Sequence, residues 1–160
     1  NPAVKGCLHA SLAAVPWVVV EAVDAPWVAE VAEVVGVLAV AVEVGVEVAE
    51  AERVLAEDFA QVFDQLSFHG TEYVVILTRG HKHDALVLEQ VMKKPTRYVG
   101  MIGSKRKTKM VMDYMRQKGF DEELLGSVYA PIGIDINSET PQEIAVSIVG
   151  ELIKVRRGRS

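Results

Sequence analysis

Apolar residues along this chain alternate between short continuous runs and helical stripes. Trp17–Val20, Val37–Val42 and Tyr73–Leu77 are nearly unbroken apolar runs, as expected of strands covered on both faces. Arg53–Leu55 reads as a further short strand, and Tyr98, Val99, Met101 and Ile102 mark another within Arg97–Ile102. Trp27, Val28, Val31, Val34 and Val35 recur at helical spacing between Pro26 and Gly36, which suits a helix with proline in its first turn and glycine at its stop. Asp58 predicts the cap of a second helix through about Leu66, with Phe59, Val62, Phe63 and Leu66 on one face. Ala85–Met92 reads as a third helix, with Lys93 and Lys94 after it and Pro95 as its stop. A fourth starts near Ser104 and runs to Lys118 before Gly119, with Met110, Val111, Tyr114 and Met115 inward. Asp121–Val128 predicts a short helix, and Pro131–Ile136 an extended segment. Thr140-Pro141-Gln142-Glu143 is a capping box with proline at the first helical position. It opens a last helix reaching about Arg157 before Gly158.

Strands alternating with helices predict a single α/β domain, doubly wound and Rossmann-like, with a mainly parallel sheet. The domain spans residues 17–160, and residues 1–16 form a lead-in or linker. In such sheets ligands bind outside the carboxyl ends of the strands. That rule directs attention to two loops, Thr78–Asp84 (TRGHKHD) and Gly100–Lys107, the end of YVGMIGSKRK. Both are expected to line one cleft.

In the second loop Gly100 and Gly103 let the backbone turn tightly and approach a ligand. Ser104 is an N-cap, and Lys105, Arg106 and Lys107 fall in the first helical turn. Cations there oppose the helix dipole, so they make sense when an anion, most simply a phosphate, offsets them. The competing reading is a solvated basic turn, because the spacing matches neither a full Walker A nor a Rossmann fingerprint. In the first loop the planar fork of Arg79 suits phosphate or carboxylate. His81 and His83 flank Lys82, and on a strand they would share a side and, with Asp84, chelate a divalent metal. The favoured alternative is that His83 or Asp84 opens the next helix while His81 meets a ligand or a carbonyl.

The first half of the sequence is less specific. Glu43 lies where a Rossmann fold places its ribose-binding acid. The turn after the first strand, Glu21-Ala22-Val23, has no glycine for a phosphate to approach. Roughly four in five residues from Val18 to Ala56 are Val, Ala or Glu, a low-complexity composition in which no site is assigned at the level of single residues.

The whole-chain numbers narrow the picture. The 160 residues suffice for one full core, and half are hydrophobic. A net charge of −5 gives no general attraction to nucleic acid or anionic membrane, so the basic cluster at Lys105–Lys109 is local. Cys7 is the sole cysteine; an intrachain disulfide is impossible, which fits a reducing cytoplasm. Glutamates interrupt the apolar stretches, which argues against a membrane span, and there is no signal-peptide pattern.

Four motifs in order, TRGHKHD, YVGMIGSKRK, APIGIDI (Ala130–Ile136) and ETPQEIAVSI (Glu139–Ile148), carry a resemblance. From about Glu57 to Gly158 the chain resembles the C-terminal domain of the xanthine dehydrogenase accessory factor family, the XdhC/CoxI group. The resemblance implies a factor that binds the molybdenum cofactor, a phosphate-bearing pterin, and inserts it into a molybdenum hydroxylase such as xanthine dehydrogenase. It implies an accessory or chaperone role in the cytoplasm rather than an enzyme, and self-association. Its expected ligand contacts are Arg79, Gly80, His81, Asp84, Gly100, Gly103, Ser104, Lys105 and Arg106, with Asp135 positioning the ligand or closing the site. No catalytic residue and no dedicated metal ligand is assigned. The family commonly has Gly-Ala-Gly where this chain has Glu21-Ala22-Val23. Its members often carry a preceding domain with a cofactor-holding cysteine, but Cys7 lacks a matching motif and reads as a small buried hydrophobe. The rival readings are an NAD(P)-dependent oxidoreductase on the same fold and a docking domain with a vestigial site.

Overall fold

The structure is a computed structural model, described here for residues 17–21, 39–42, 53–55, 63–64, 66–77 and 81–158. Five strands, β1 (Trp17–Glu21), β2 (Ala39–Val42), β3 (Arg53–Leu55), β4 (Tyr73–Leu77) and β5 (Tyr98–Met101), form one sheet in the order β3-β2-β1-β4-β5. Every adjacent pair is parallel. The chain runs outward from β1 to β3, returns to β4 on the other side of β1, and runs outward again to β5. This is the strand order of a Rossmann-type α/β fold, and it reverses direction between β1 and β4. All five β4 residues are buried, which explains why that run carries no polar alternation. The predicted helix at Pro26–Gly36, Cys7 and Glu43 lie outside the described residues.

Four helices are described: α1 (His81–Val91), α2 (Lys105–Gln117), α3 (Glu122–Gly126) and α4 (Pro141–Arg156). The core gathers Val74 and Ile76 of β4, Val87, Leu88 and Val91 of α1, Met101 of β5, and Val111 and Met115 of α2. Helix α1 starts at His81, four residues before the position predicted from Ala85, because Asp84 supplies an acidic residue to its first turn. Of the helix predicted from Asp58 through about Leu66, residues 58–62 and 65 lie outside the described residues; Phe63 and Asp64 form a turn and Leu66 a bend, and Phe63 is a core residue.

The inward stripe of α2 is Thr108, Val111 and Met115, with Thr108 as its polar member. Met110 and Tyr114, predicted to face inward, are 46% and 41% exposed and sit beside that stripe. Helix α4 keeps the predicted start: the Thr140 hydroxyl accepts from Glu143 N, and the Glu143 carboxylate accepts from Thr140 N. No helix among the described residues is long and apolar enough to cross a membrane.

The outer edge of β5 is covered by the chain itself. Tyr129 bridges Gly100 in parallel, with Tyr129 N donating to Val99 O and Met101 N to Tyr129 O, each at 2.9 Å. Ile132 N continues to Met101 O at 3.0 Å. Gly100 therefore lies inside a strand, and a Cβ there would run into Ile132 and the Tyr98 hydroxyl.

Candidate functional site

Strands β4 and β5 lie side by side in register, with Ile76 opposite Met101. One more bond, Ile102 N to Ile76 O at 3.0 Å, carries the pairing past the end of β5. The two segments after these strands must then leave the same carboxyl edge at neighbouring points. Helix α1 comes after β4 and helix α2 after β5, and their first turns meet.

The entry to α2 is tightly specified. Ser104 has extended backbone, and its Oγ accepts from Lys107 N at 3.2 Å. The buried Thr108 hydroxyl donates to Ser104 O or Lys105 O, both at 3.2 Å, and clamps the turn from inside. Gly103 leaves room for the lysine, since a Cβ there would stand 3.0 Å from Lys107 Cδ and 3.3 Å from Thr108 Cγ2 and would press the stem aside. The Lys107 stem thus lies across the glycine.

Beyond the glycine, Lys107 Nζ reaches Asp84 Oδ2 at 2.6 Å. Asp84 is fully buried in the first turn of α1, and Lys107 is 23% exposed. A buried carboxylate is tolerable when paired in this way. Of the three cations expected to face a ligand, Lys107 is therefore engaged in holding two helices together. Lys105 and Arg106 are exposed, and no carboxylate among the described residues stands within ion-pair distance of either. Two backbone amides of the helix N-terminus, an N-cap hydroxyl and two cations make an electropositive corner at the sheet's carboxyl edge.

The other predicted residues fall elsewhere. Arg79 and Gly80 lie outside the described residues, and His81 is described only by its backbone, as the first residue of α1. Positions 81 and 83 are helical and do not share a face, so the strand geometry that would pair their imidazoles does not arise. No group of three or more His, Cys, Asp or Glu gathers as a metal site among the described residues. Glu21 ends β1 opposite Leu77, at the point where the strand order reverses.

Asp135 lines a pocket of about 600 Å³ together with Tyr129 and, from α4, Glu151 and Lys154. Behind it Tyr98 and Glu151 are linked by a buried hydrogen bond. Burial, and then the Glu151 carboxylate, push the Tyr98 hydroxyl far above its usual range, so Tyr98 is the donor. The sequence offered one signal for this pair, a glutamate on the apolar face of α4 between Ile148 and Leu152, both fully buried.

A family model described as the XdhC Rossmann domain matches residues 17–152. An uncharacterized protein of Escherichia coli, YqeB, is 33% identical over 101 residues, covering 63% of this chain and 18% of that protein. A probable xanthine dehydrogenase subunit of Bacillus subtilis is 26% identical over 108 residues, covering 68% of this chain and 31% of that protein. Among solved structures, a xanthine dehydrogenase from Bacillus halodurans superposes with a TM-score of 0.73 at 25% identity, covering 91% of this chain and 44% of that one. The chain spans less than half the length of each of these proteins.

Proposed function

This chain belongs to the XdhC Rossmann domain family, and on that footing we propose that it binds the molybdenum cofactor and hands it to a molybdenum hydroxylase apoenzyme in the cytoplasm. The observation that carries the reading is the corner at Gly103–Arg106: two exposed cations at a helix N-terminus, with no carboxylate partner among the described residues, at the carboxyl edge of a Rossmann-type sheet. Two relatives whose names include xanthine dehydrogenase support the choice of recipient.

The donor set fits the phosphate of a pterin cofactor. Lys105 and Arg106 would neutralise it, and the N-terminal amides of α2 would donate to its oxygens. When bound, the cofactor supplies the molybdenum centre that the recipient enzyme needs. The chain's own residues position it: Ser104 and Thr108 fix the turn, and the Asp84–Lys107 pair fixes that turn against α1. Arg79 and Gly80, which precede α1 in sequence, and His81, its first residue, complete the proposed site. Gly100 acts through packing, and Asp135 is left to the other pocket. No proton transfer is assigned to any residue, which suits a carrier better than an enzyme. Self-association is part of the proposal.

Mass spectrometry of the small molecule that co-purifies with the protein tests this reading. A pterin phosphate is expected. A nicotinamide dinucleotide would favour an NAD(P)-dependent oxidoreductase, and a protein that neither carries nor binds either would favour a docking domain.

A further inference from the structure

Helices α2 and α3 follow one another in the chain and carry opposite charges at their outer ends. In the first half of α2, Lys105, Arg106 and Lys109 are exposed, and no acidic residue precedes Asp113 in that helix. At the far end Asp121, Glu122, Glu123 and Leu124 are exposed one after another, and α3 contains no basic residue. Between the ends lie Met110 and Tyr114, 46% and 41% exposed and one helical turn apart.

The charges on this surface are only loosely engaged. Lys109 pairs with Asp113, and Arg116 with Asp113 and Glu122, all at solvent-accessible positions where such pairs are worth little. Lys118 reaches Glu89 of α1 at 4.0 Å. Glu123 takes part in none of these pairs. Cations at one end, carboxylates at the other and apolar groups between make a surface that is self-complementary under a two-fold axis. Turned end over end, each copy sets its cations against the other's carboxylates; a parallel arrangement sets like charges together. A uniformly acidic or basic partner satisfies one end and is repelled at the other. A second copy satisfies both. Strand addition at β5 is not the competing route, because the segment Tyr129–Ile132 already occupies the outer edge of that strand.

We infer that two copies of this chain associate through α2 and α3, antiparallel about a two-fold axis near Tyr114, with Met110 and Tyr114 packed at the centre and Lys109 of each copy facing Glu123 of the other. The inference rests on the self-association named in the proposed function, for which it supplies the surface, and not on the cofactor; a chain that dimerises this way without binding a pterin leaves it standing. Sedimentation equilibrium of the intact chain at low salt should show a dimer at micromolar concentration that weakens as salt rises. Lys109→Glu and Glu123→Lys should each raise the dissociation constant at least about tenfold, because a two-fold interface repeats every like-charge contact. Mixed in equal amounts, the two variants should recover a dimer close to the wild type in strength, since each altered position then meets an opposite charge on the other chain. That recovery also shows both variants to be folded. Tyr114→Ser should weaken the wild-type dimer severalfold. A wild-type chain that stays monomeric at millimolar concentration, a dimer that neither charge reversal weakens, or weakened variants that fail to recover on mixing would overturn the inference.

Discussion

The ammonium of Lys107 lies 2.6 Å from the buried carboxylate of Asp84, joining the helix after β4 to the helix after β5. The two sequence motifs that carry these residues therefore meet through a specific ion pair at one sheet edge. Removing one member of a buried pair strands the other. Lys107→Met should destabilise the fold by about 3–5 kcal/mol, read as a lower urea midpoint with unchanged slope. Asp84→Asn, which keeps the shape and removes the buried charge, should cost less. If Lys107→Met leaves the midpoint where it was, the pair does not hold these helices together.

Lys105 and Arg106 should behave in the opposite way. Replacing both with alanine removes exposed groups that oppose their helix dipole, so stability should change by no more than about 0.5 kcal/mol. Affinity for the pterin cofactor should fall by roughly 1–3 kcal/mol for each charge-assisted hydrogen bond removed, and the difference should shrink as salt rises. A double variant that binds the cofactor normally at low salt would remove the proposed phosphate corner.

Acid should act on the start of α4. The Glu143 carboxyl is held below its usual value of 4.5 by the amide donors of Thr140 and Glu139. Because the folded value is the lower one, this contribution is present in full above pH 4.5 and is lost as pH falls through the folded value. Thermal melts of Glu143→Gln should therefore converge on those of the wild type as pH drops below 4.5. A gap that persists or widens in acid would show that the carboxylate is not what stabilises this cap.

Gly100 offers a test of packing against ligand binding. Gly100→Ala places a methyl group against Ile132 and the Tyr98 hydroxyl and should cost about 1–3 kcal/mol as overpacking. Cofactor affinity, measured on the folded fraction, should be unchanged. Weaker binding with intact stability would instead place Gly100 against the ligand.

The sheet was readable because buried parallel strands are continuous apolar runs; β4 begins and ends where that pattern places it. Caps were readable too, since Thr140 and Glu143 are three residues apart and their bond is local. That the segments after β4 and β5 leave one sheet edge follows from the carboxyl-end rule, but the partner of Asp84 does not, because the pairing depends on the register of β4 against β5. Tyr98 and Glu151 are 53 positions apart and meet only through the packing of α4 against the sheet edge. Val111 and Met115 face inward as the apolar spacing predicts, whereas Met110 and Tyr114 do not; the third buried position is Thr108, a polar residue whose hydroxyl is satisfied by carbonyls of its own helix.

The strip at Tyr129–Ile132 limits how this domain can meet another protein. On the β5 side it has already supplied the neighbour that an incoming strand would otherwise provide, and the strip itself makes one ladder rung before Pro131, which has no amide hydrogen to offer. An incoming strand cannot pair directly with β5 on this flank, because Val99 O, Met101 N and Met101 O are already bonded to the strip. Side chains are then the means of recognition on offer at β5, and Tyr129, Ile134 and Ile136 are exposed apolar groups in and after the strip. Specificity for a partner would then be lost or gained by single substitutions at those positions, with the sheet itself undisturbed.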